Sequence, residues 1–446
     1  MGSGAPTSEA TPHRPGGRRS HLPGRHPHER LRRRRRHRVG PLAALVAVIG
    51  PGLLAGLSDD DPPGITTYSL LGADYGYSLI WVLTLSTAAL IVFHEVAART
   101  GIATGKGLVA LIRHARGVKA STTVVTALLV ANLGTLAAEF AGLAAGADLL
   151  TGAGREIAVP IAAIAVIALI TRGSFHRVEH ILLALGSVFV AYIAAGVLAH
   201  PDWEAAARGA VVPSLPGGSA AIVAVTAAIG TTLAPWGLAF MQSYAVDKRL
   251  RRSDLPMERI DVTLGAAMTG VIGFFVIVAC AATLHASGRE IDDAADAASA
   301  LEPVAGSLAS SLFGIGFVGA AMLAIAVVPL STAYSIAEAR GRPSVLDSGF
   351  REEPFFYGCF VGVTAVAAAL VMIPGVPLVP LLYLSQVLNA LLLLAILPFL
   401  RSAAADHALM GSSALGSTGK AVTAVVIAAV AVSVFALAAA ALGILG

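Results

Sequence analysis

The segment best suited to bind a ligand is residues 58–64 (Ser-Asp-Asp-Asp-Pro-Pro-Gly). It contains three consecutive carboxylates followed by two prolines and a glycine, and it interrupts an apolar stretch. Carboxylates and backbone carbonyls are the oxygen ligands that hard divalent cations prefer. A proline has no backbone N–H and leaves the carbonyl one turn earlier without its helical partner, so backbone oxygens near Ser58 become available. We therefore expect a cation site with Asp61 as its first side-chain ligand. For Asp59 and Asp60, the alternative is that they are solvated in an outer vestibule.

A second interruption occurs in an otherwise apolar stretch at residues 230–237 (Gly-Thr-Thr-Leu-Ala-Pro-Trp-Gly). Inside a bilayer, unwound backbone persists only where it lines a cavity or is buried in protein, because lipid offers no hydrogen bonds. A single proline in such a helix ordinarily marks a kink. Two interruptions in corresponding segments, one of them with carboxylates, instead indicate a shared binding site. Backbone oxygens near Thr231 are the predicted contribution of this segment.

Further polar side chains lie inside other apolar segments, where an ionisable group is a functional candidate by default. Glu139 lies among small residues, and it either faces the ion path or is a satisfied hydrogen-bonding group. Gln386 and Asn389 are three residues apart and share one helical face, and we expect them to face a cavity rather than to link helices. His94, near the end of its apolar segment, is predicted to be structural.

The elements that carry these residues are predicted to be membrane helices. The chain has 446 residues, of which 56% are hydrophobic and 13% charged, with a mean hydropathy of +0.77, whereas a soluble protein has far more polar surface. The predicted helices lie near residues 41–75 (interrupted), 78–98, 121–149, 156–171, 178–198, 218–247 (interrupted), 259–284, 306–336, 355–373, 378–400 and 420–445. The fold class is therefore an all-α integral membrane protein of about eleven transmembrane helices, each of roughly 20 residues or more.

The spacing of the two interruptions predicts how the chain is organised. They fall in the first and sixth predicted helices, five helices apart, as two inverted five-helix repeats would produce. The first repeat is predicted at residues 41–198, the second at 218–400, and an extra helix at 420–445, all within a transporter domain of residues 41–446. Residues 1–40 are rich in Pro, Gly, Arg and His without an apolar run, which predicts a disordered basic tail.

Basic residues indicate the orientation of the helices. With the tail inside, nearly all Lys and Arg residues of the later loops fall on the same side, and the other side carries only Arg155, Arg208 and Arg289. This asymmetry follows the positive-inside rule. We therefore expect a multi-pass protein of the plasma membrane with a cytoplasmic N-terminus and an external C-terminus. A nucleic-acid partner is not expected, because a run of Arg residues without aromatic side chains or a folded domain cannot recognise the bases or the shape of a nucleic acid.

Several motifs resemble those of the natural resistance-associated macrophage protein (NRAMP) metal transporters. They are Gly50-Pro51-Gly52, Asp61-Pro62, residues 99–106 (Arg-Thr-Gly-Ile-Ala-Thr-Gly-Lys), Ala138-Glu139, residues 329–334 (Pro-Leu-Ser-Thr-Ala-Tyr) and Leu384-Ser385-Gln386. The resemblance extends over most of the chain from Gly50 onward. It implies divalent metal transport and the inverted-repeat fold of amino acid and sodium symporters, with broken helices one and six and an added eleventh helix.

The chain also departs from the family pattern at positions that matter for ligands. The family's first-helix motif Asp-Pro-Gly-Asn reads Asp-Pro-Pro-Gly at residues 61–64, so the Asn ligand is lost. The family's sixth-helix motif Met-Pro-His reads Ala-Pro-Trp at residues 234–236, so a thioether and a histidine are lost. Another sixth-helix histidine and a third-helix aspartate of the family correspond to Met241 and Leu136. In these losses the chain resembles the NRAMP-related magnesium transporter branch.

The resulting candidate site consists of oxygen donors. Thioethers are soft ligands, whereas Mg²⁺ takes oxygen ligands and keeps several waters, and Ala234 in place of methionine leaves room for a hydrated ion. The expected metal ligands are Asp61, Ser58, Gly64, Thr231, Ala234 and Gln386. The expected ion path or outer residues are Asp59, Asp60, Glu139, Trp236 and Asn389.

These observations predict a carrier for Mg²⁺ and Mn²⁺ that works without proton coupling, since neither family histidine remains. Its expected partners are the lipid bilayer and the divalent cation that it transports. No cofactor and no enzymatic activity are expected, because the sequence contains no Gly-rich phosphate loop, no His/Cys cluster and no Ser/His/Asp arrangement. One alternative is a proton-coupled importer of Mn²⁺ or Fe²⁺, with Glu139 as the remaining proton carrier. Another is an organic-solute symporter or a metal sensor on the same scaffold.

Overall fold

The protein consists of α-helices joined mostly by short connections. The computed structural model describes residues 2, 55, 56, 58–172, 190–292, 294–300, 302, 306–342, 346 and 349–444, and no β-strand occurs among them. The helices are α1 (Pro62–Tyr75), α2 (Ile80–Thr104), α3 (Leu108–Thr151), α4 (Arg155–Arg172), α5 (Val190–Leu198), α6 (Trp203–Val211), α7 (Ser219–Thr232), α8 (Pro235–Asp247), α9 (Leu255–Cys280), α10 (Ala294–Ser299), α11 (Ala309–Arg340), α12 (Gly349–Glu352), α13 (Pro354–Val371), α14 (Leu378–Ala405), α15 (His407–Met410) and α16 (Ser417–Ala441).

Eight helical stretches in the described part of the chain are long and apolar enough to cross a membrane, judged by length and composition. They are α2, α3, α7 together with α8, α9, α11, α13, α14 and α16. The all-helical membrane class predicted from composition is thereby confirmed. The predicted helices at residues 41–75 and 178–198 lie partly outside the described residues. The predicted tail, residues 1–40, lies outside them except for residue 2.

The predicted third helix, residues 121–149, corresponds to the second part of α3. The backbone of Gly117 has φ 84° and ψ −179° within α3, which separates a shorter N-terminal piece from the long spanning piece. This conformation is open to glycine and strained for other residues. A single glycine therefore places the basic residues Arg113 and Arg116 on a segment separate from the spanning helix.

Helix α6 lies in a segment that the sequence predicts to be a loop. Asp202 caps its N-terminus by accepting a hydrogen bond from the N–H of Ala205 at 2.9 Å. Only Ala206 of its nine residues is buried. Because α6 is short and mostly exposed, it lacks the apolar periodicity by which longer helices are recognised.

The elements that carry the candidate residues approach one another closely. A side chain at Gly142 of α3 would overlap the ring of Pro62 at the start of α1. A side chain at Gly230 of α7 would overlap the backbone of α14 at Gln386. Helices α1, α3, α7 and α14 therefore pack with their backbones close together at the level of the predicted interruptions, as small residues allow in membrane bundles.

Candidate functional site

Helix α1 begins at a polar turn formed by Asp61. The backbone of Asp61 is extended (φ −82°, ψ 169°), and its Oδ1 atom accepts a hydrogen bond from the N–H of Gly64 at 2.7 Å. Pro62 and Pro63 occupy the first helical positions, where no N–H is required. The order Asp-Pro-Pro-Gly therefore fixes both the start of the helix and the direction of the Asp61 carboxylate, which lies at the positive end of the helix dipole.

Three oxygen atoms converge beside Gly64. The position that a Cβ at Gly64 would occupy lies 2.8 Å from the Asp59 carbonyl oxygen, 3.0 Å from Asp61 Oδ1 and 3.3 Å from the hydroxyl oxygen of Thr231. The hydroxyl of Thr231 is buried and has no hydrogen-bond partner among the described residues. Gly64 thus keeps open a small space that a backbone oxygen, a carboxylate and a hydroxyl all face.

Prolines remove backbone N–H donors at both interruptions. In a continuous helix the carbonyls of Ser58 and Asp59 would accept from residues 62 and 63, which are both prolines and have no N–H. The carbonyl of Thr231 would accept from residue 235, which is also a proline. Pro62, Pro63 and Pro235 therefore cannot supply the hydrogen bonds that a continuous helix would make at these positions.

Glu139 of α3 faces Asp61. Glu139 is fully buried next to Asp61, and neither of its carboxylate oxygens has a hydrogen-bond partner among the described residues. Two carboxylates are both acceptors, so they can pair only through a proton or a cation that lies between them. Of the two alternatives raised by the sequence, this geometry agrees with a position beside the ion site.

Asp59 and Asp60 are buried, with 1% and 0% of their surface exposed. None of their four carboxylate oxygens has a hydrogen-bond partner in the described part of the chain. This burial does not agree with the alternative that they are solvated in an outer vestibule. An unpaired carboxylate in a low-dielectric interior is strongly unfavourable unless a cation or a proton accompanies it.

The second interruption separates α7 from α8 at Leu233 and Ala234, both of which have non-helical backbone angles. The Ala234 carbonyl already accepts the N–H of Gly237 at 3.1 Å. The small side chain of Ala234 leaves space beside the interruption. Its carbonyl, which the sequence predicts as a metal ligand, would have to bind an ion in addition to or in place of this hydrogen bond. Trp236 is fully buried, and its carbonyl accepts the hydroxyl of Ser331 at 2.7 Å.

Gln386 and Asn389 belong to a hydrogen-bonded chain of buried polar side chains. The amide of Gln386 donates to Ser385 at 2.9 Å and accepts from Asn389 at 3.0 Å. Asn389 in turn accepts from Thr135 of α3 at 3.3 Å. Both amides are therefore engaged, and the chain links α14 to α3, which was the alternative to a cavity-facing role. Gln386 can serve as a ligand only through the second lone pair of its amide oxygen.

His94 of α2 is predicted from the sequence to be structural. It is fully buried, and neither ring nitrogen has a partner among the described residues. A Cβ at Gly237 would lie 3.4 Å from His94 Nε2 and 3.6 Å from Asp59 Oδ1. No sequence signal connects residues this far apart in the chain, so only the packing of α2 against α8 brings them together.

The donor set is suited to a hard cation. Among the described residues, no group of three or more His, Cys, Asp or Glu side chains is arranged to hold a metal ion. The arrangement around Gly64 is different, since it combines one carboxylate with a hydroxyl and backbone oxygens. Such neutral oxygens with a single carboxylate suit a partly hydrated ion that must also leave the site.

A family model described as natural resistance-associated macrophage protein-like matches residues 52–440 of the chain. Two bacterial relatives share the name divalent metal cation transporter MntH. The protein of Burkholderia ambifaria is 32% identical over 283 residues, which is 61% of this chain and 64% of that relative, so the match spans less than two thirds of the relative's length. The protein of Pectobacterium carotovorum is 28% identical over 378 residues, covering 83% of this chain and 89% of the relative.

The fold is similar to that of a solved transporter. The crystal structure of the Eremococcus coleocola manganese transporter in complex with an aromatic bis-isothiourea substituted compound superposes with a TM-score of 0.72 at 19% identity, covering 90% of this chain and 88% of that one. The expected membrane-transporter fold is thereby confirmed. The names of these relatives are those of transporters and not of enzymes.

Proposed function

We infer that this chain, which belongs to the natural resistance-associated macrophage protein-like family, is a multi-pass membrane protein that transports divalent metal cations. The match to the family model over residues 52–440 supports this, as do relatives named divalent metal cation transporter. Its substrate is the ion itself, and the transport needs no resident cofactor.

The observation that carries the proposal is the set of oxygens around Gly64. The carbonyl of Asp59, the carboxylate of Asp61 and the hydroxyl of Thr231 all lie within 3.3 Å of one point. Buried carboxylates without basic partners require a positive charge, and unwound backbone at mid-membrane supplies additional neutral oxygens. Asp61, Thr231 and the carbonyl of Asp59 form the proposed binding site around Gly64, and Ser58 of the same turn remains a proposed ligand.

We further propose that Mg²⁺ and Mn²⁺ are the preferred ions. Every donor beside Gly64 is oxygen, which Mg²⁺ requires and Mn²⁺ accepts. Ala234 presents no sulfur to the site and leaves space in which an ion can retain water molecules. A soft ion such as Cd²⁺ finds no thioether there and gains little from these ligands.

Transport is proposed to run without obligatory proton coupling. Two charges that enter across a membrane potential of about 100 mV gain about 4.6 kcal/mol, which supports an accumulation of about two-thousandfold without a second ion. Trp236, Met241 and Leu136 carry no titratable group. The adjacency of Glu139 and Asp61 and the buried His94 near Asp59 favour the alternative, a proton-coupled transition-metal importer.

An organic-solute symporter on the same scaffold is disfavoured by charge. Asp59, Asp60, Asp61 and Glu139 are all buried near the interruptions. A carboxylate-bearing or zwitterionic substrate would meet their repulsion without a compensating Lys or Arg side chain paired to them in the described residues. A metal sensor would use the same ligands but would show binding without flux.

The location of the protein is proposed from its sequence. The relatives and the basic loops support the plasma membrane, with the N-terminus in the cytoplasm and the C-terminus outside. The proposed organisation is a tail of residues 1–40 followed by a transporter domain of residues 41–446. Within this domain, the two repeats are proposed at about 41–198 and 218–400, and the extra helix at about 420–445.

A flux assay in liposomes tests the proposal. The purified protein is reconstituted with an indicator for the metal and a pH dye inside, and Mg²⁺, Mn²⁺ and Cd²⁺ are added outside under an inside-negative potential. We expect uptake of Mg²⁺ and Mn²⁺ that exceeds uptake of Cd²⁺, with no matching acidification. Tight transport of Cd²⁺ with acidification would select the proton-coupled alternative, and binding without uptake of any ion would select the sensor.

A further inference from the structure

Asp59 and His94 are buried polar groups whose side chains the site around Gly64 does not use. His94 is 0% exposed and Asp59 is 1% exposed. Both ring nitrogens and both carboxylate oxygens lack hydrogen-bond partners among the described residues. Buried polar groups are ordinarily paired, because an unpaired one loses its hydration without compensation. Two such groups close together indicate a candidate binding position for a cation.

The absence of a side chain at Gly237 leaves a space between these two groups. The position that a Cβ of Gly237 would occupy is at ordinary van der Waals distance from both, 3.4 Å from His94 Nε2 and 3.6 Å from Asp59 Oδ1. The imidazole of α2 and the carboxylate that precedes α1 therefore face the same methyl-sized space at the first turn of α8.

The surrounding charge favours a second cation. Asp59, Asp60, Asp61 and Glu139 are all buried, and none of them forms an ion pair with Lys or Arg in the described residues. A divalent ion beside Gly64 would be bound by the Asp61 carboxylate and would leave the Asp59 carboxylate without a partner. A further cation beside Asp59 would supply that partner.

We propose that Asp59 and His94 bind a second divalent cation next to Gly237, and that this position favours first-row transition ions over Mg²⁺. This inference rests on the proposed transport of divalent cations. Imidazole is a common ligand of transition ions, whereas Mg²⁺ takes oxygen almost exclusively. The carbonyl of Asp59 faces the space at Gly64, so the two positions adjoin through one residue. The chain then holds an oxygen-only position and a nitrogen-containing position side by side.

Pulsed electron paramagnetic resonance on the full-length protein tests this assignment. Mn²⁺ bound to an imidazole shows a coupling to the ligand nitrogen, which Mn²⁺ bound only to oxygen lacks. Equilibrium dialysis with Mn²⁺ supplies the number of ions bound per chain. We expect a nitrogen coupling and two tightly bound ions in the unsubstituted protein.

Three variants and a control separate the possible outcomes. His94→Gln and Asp59→Asn should each lose the nitrogen coupling and one bound ion. Gly237→Ala fills the shared space with a methyl group at ordinary contact distance and retains every polar side chain. It should also lose the nitrogen coupling and one bound ion, and it serves as the test if a polar variant fails to fold. His114→Gln, an exposed histidine, should retain both the coupling and the second ion.

Two results would overturn the proposal and leave the proposed function intact. One is Mn²⁺ binding without nitrogen coupling in the unsubstituted protein, and the other is a coupling of equal size in the His94→Gln variant. Asp61→Ala should keep the nitrogen coupling while losing the ion at the first position. Absence of Mn²⁺ binding in the unsubstituted protein would instead contradict the proposed function itself.

Discussion

Replacing Gly64 by alanine should block the proposed ion site without unfolding the protein. The added Cβ would lie 2.8 Å from the Asp59 carbonyl oxygen, whereas ordinary contacts begin at 3.4 Å. Backbone oxygen and methyl must therefore separate by several tenths of an ångström, which exceeds the tolerance of about 0.2 Å in metal–ligand distances. We expect a loss of about 10–100-fold in ion affinity, as for the disruption of groups that orient metal ligands, equivalent to about 1.4–2.8 kcal/mol.

The stability of helix α1 should not limit this experiment. Alanine is favoured over glycine in a helix by about 1 kcal/mol, which offsets part of the local strain. Gly362→Ala is a matched control, since Gly362 lies in the spanning helix α13 and a Cβ there meets no atom within 4 Å.

Uptake of Mn²⁺ into liposomes and Mn²⁺ affinity by calorimetry measure the effect. The control should behave as the unsubstituted protein in both. Affinity in Gly64→Ala within twofold of the unsubstituted value, in protein that elutes as a monodisperse species, would refute the placement of the ion beside Gly64.

Three further substitutions probe selectivity, the hydroxyl ligand and coupling. Ala234→Met adds a soft ligand and reduces the space, so the uptake ratio of Cd²⁺ to Mg²⁺ should rise, and an unchanged ratio would mean that residue 234 does not face the ion. Thr231→Val removes one hydroxyl at constant shape and should lower Mn²⁺ affinity several-fold; full affinity would show that this hydroxyl is not a ligand. Uptake without acidification is expected in both the unsubstituted protein and Glu139→Gln, and acidification that tracks uptake and vanishes in Glu139→Gln would contradict uncoupled transport.

The sequence predicts the helices because they depend on local patterns, and a local pattern also positions the proposed ligand Asp61. Long apolar runs define spanning helices, and the order Asp-Pro-Pro-Gly defines the start of α1 and the orientation of Asp61. The sequence alone also shows that Pro62 and Pro235 have no N–H to donate to the carbonyls of Ser58 and Thr231.

Features that depend on packing between distant segments were predicted poorly. The pairing of Asp61 with Glu139 and the approach of His94 to Asp59 require α1, α2, α3 and α8 to be placed in space. Sequence spacing places Gln386 and Asn389 on one face correctly, but it does not reveal that Thr135 of another helix joins them in a hydrogen-bonded chain.

The central claim, that Asp61 holds the transported ion, is tested most directly by uptake of Mn²⁺ into liposomes by the Asp61→Ala variant. Asp148→Ala, which removes an exposed carboxylate near the end of α3, is the matched control. The account predicts that Asp61→Ala folds, inserts and takes up no Mn²⁺ above protein-free liposomes, while Asp148→Ala transports normally. Uptake by Asp61→Ala at the rate of the unsubstituted protein would contradict it.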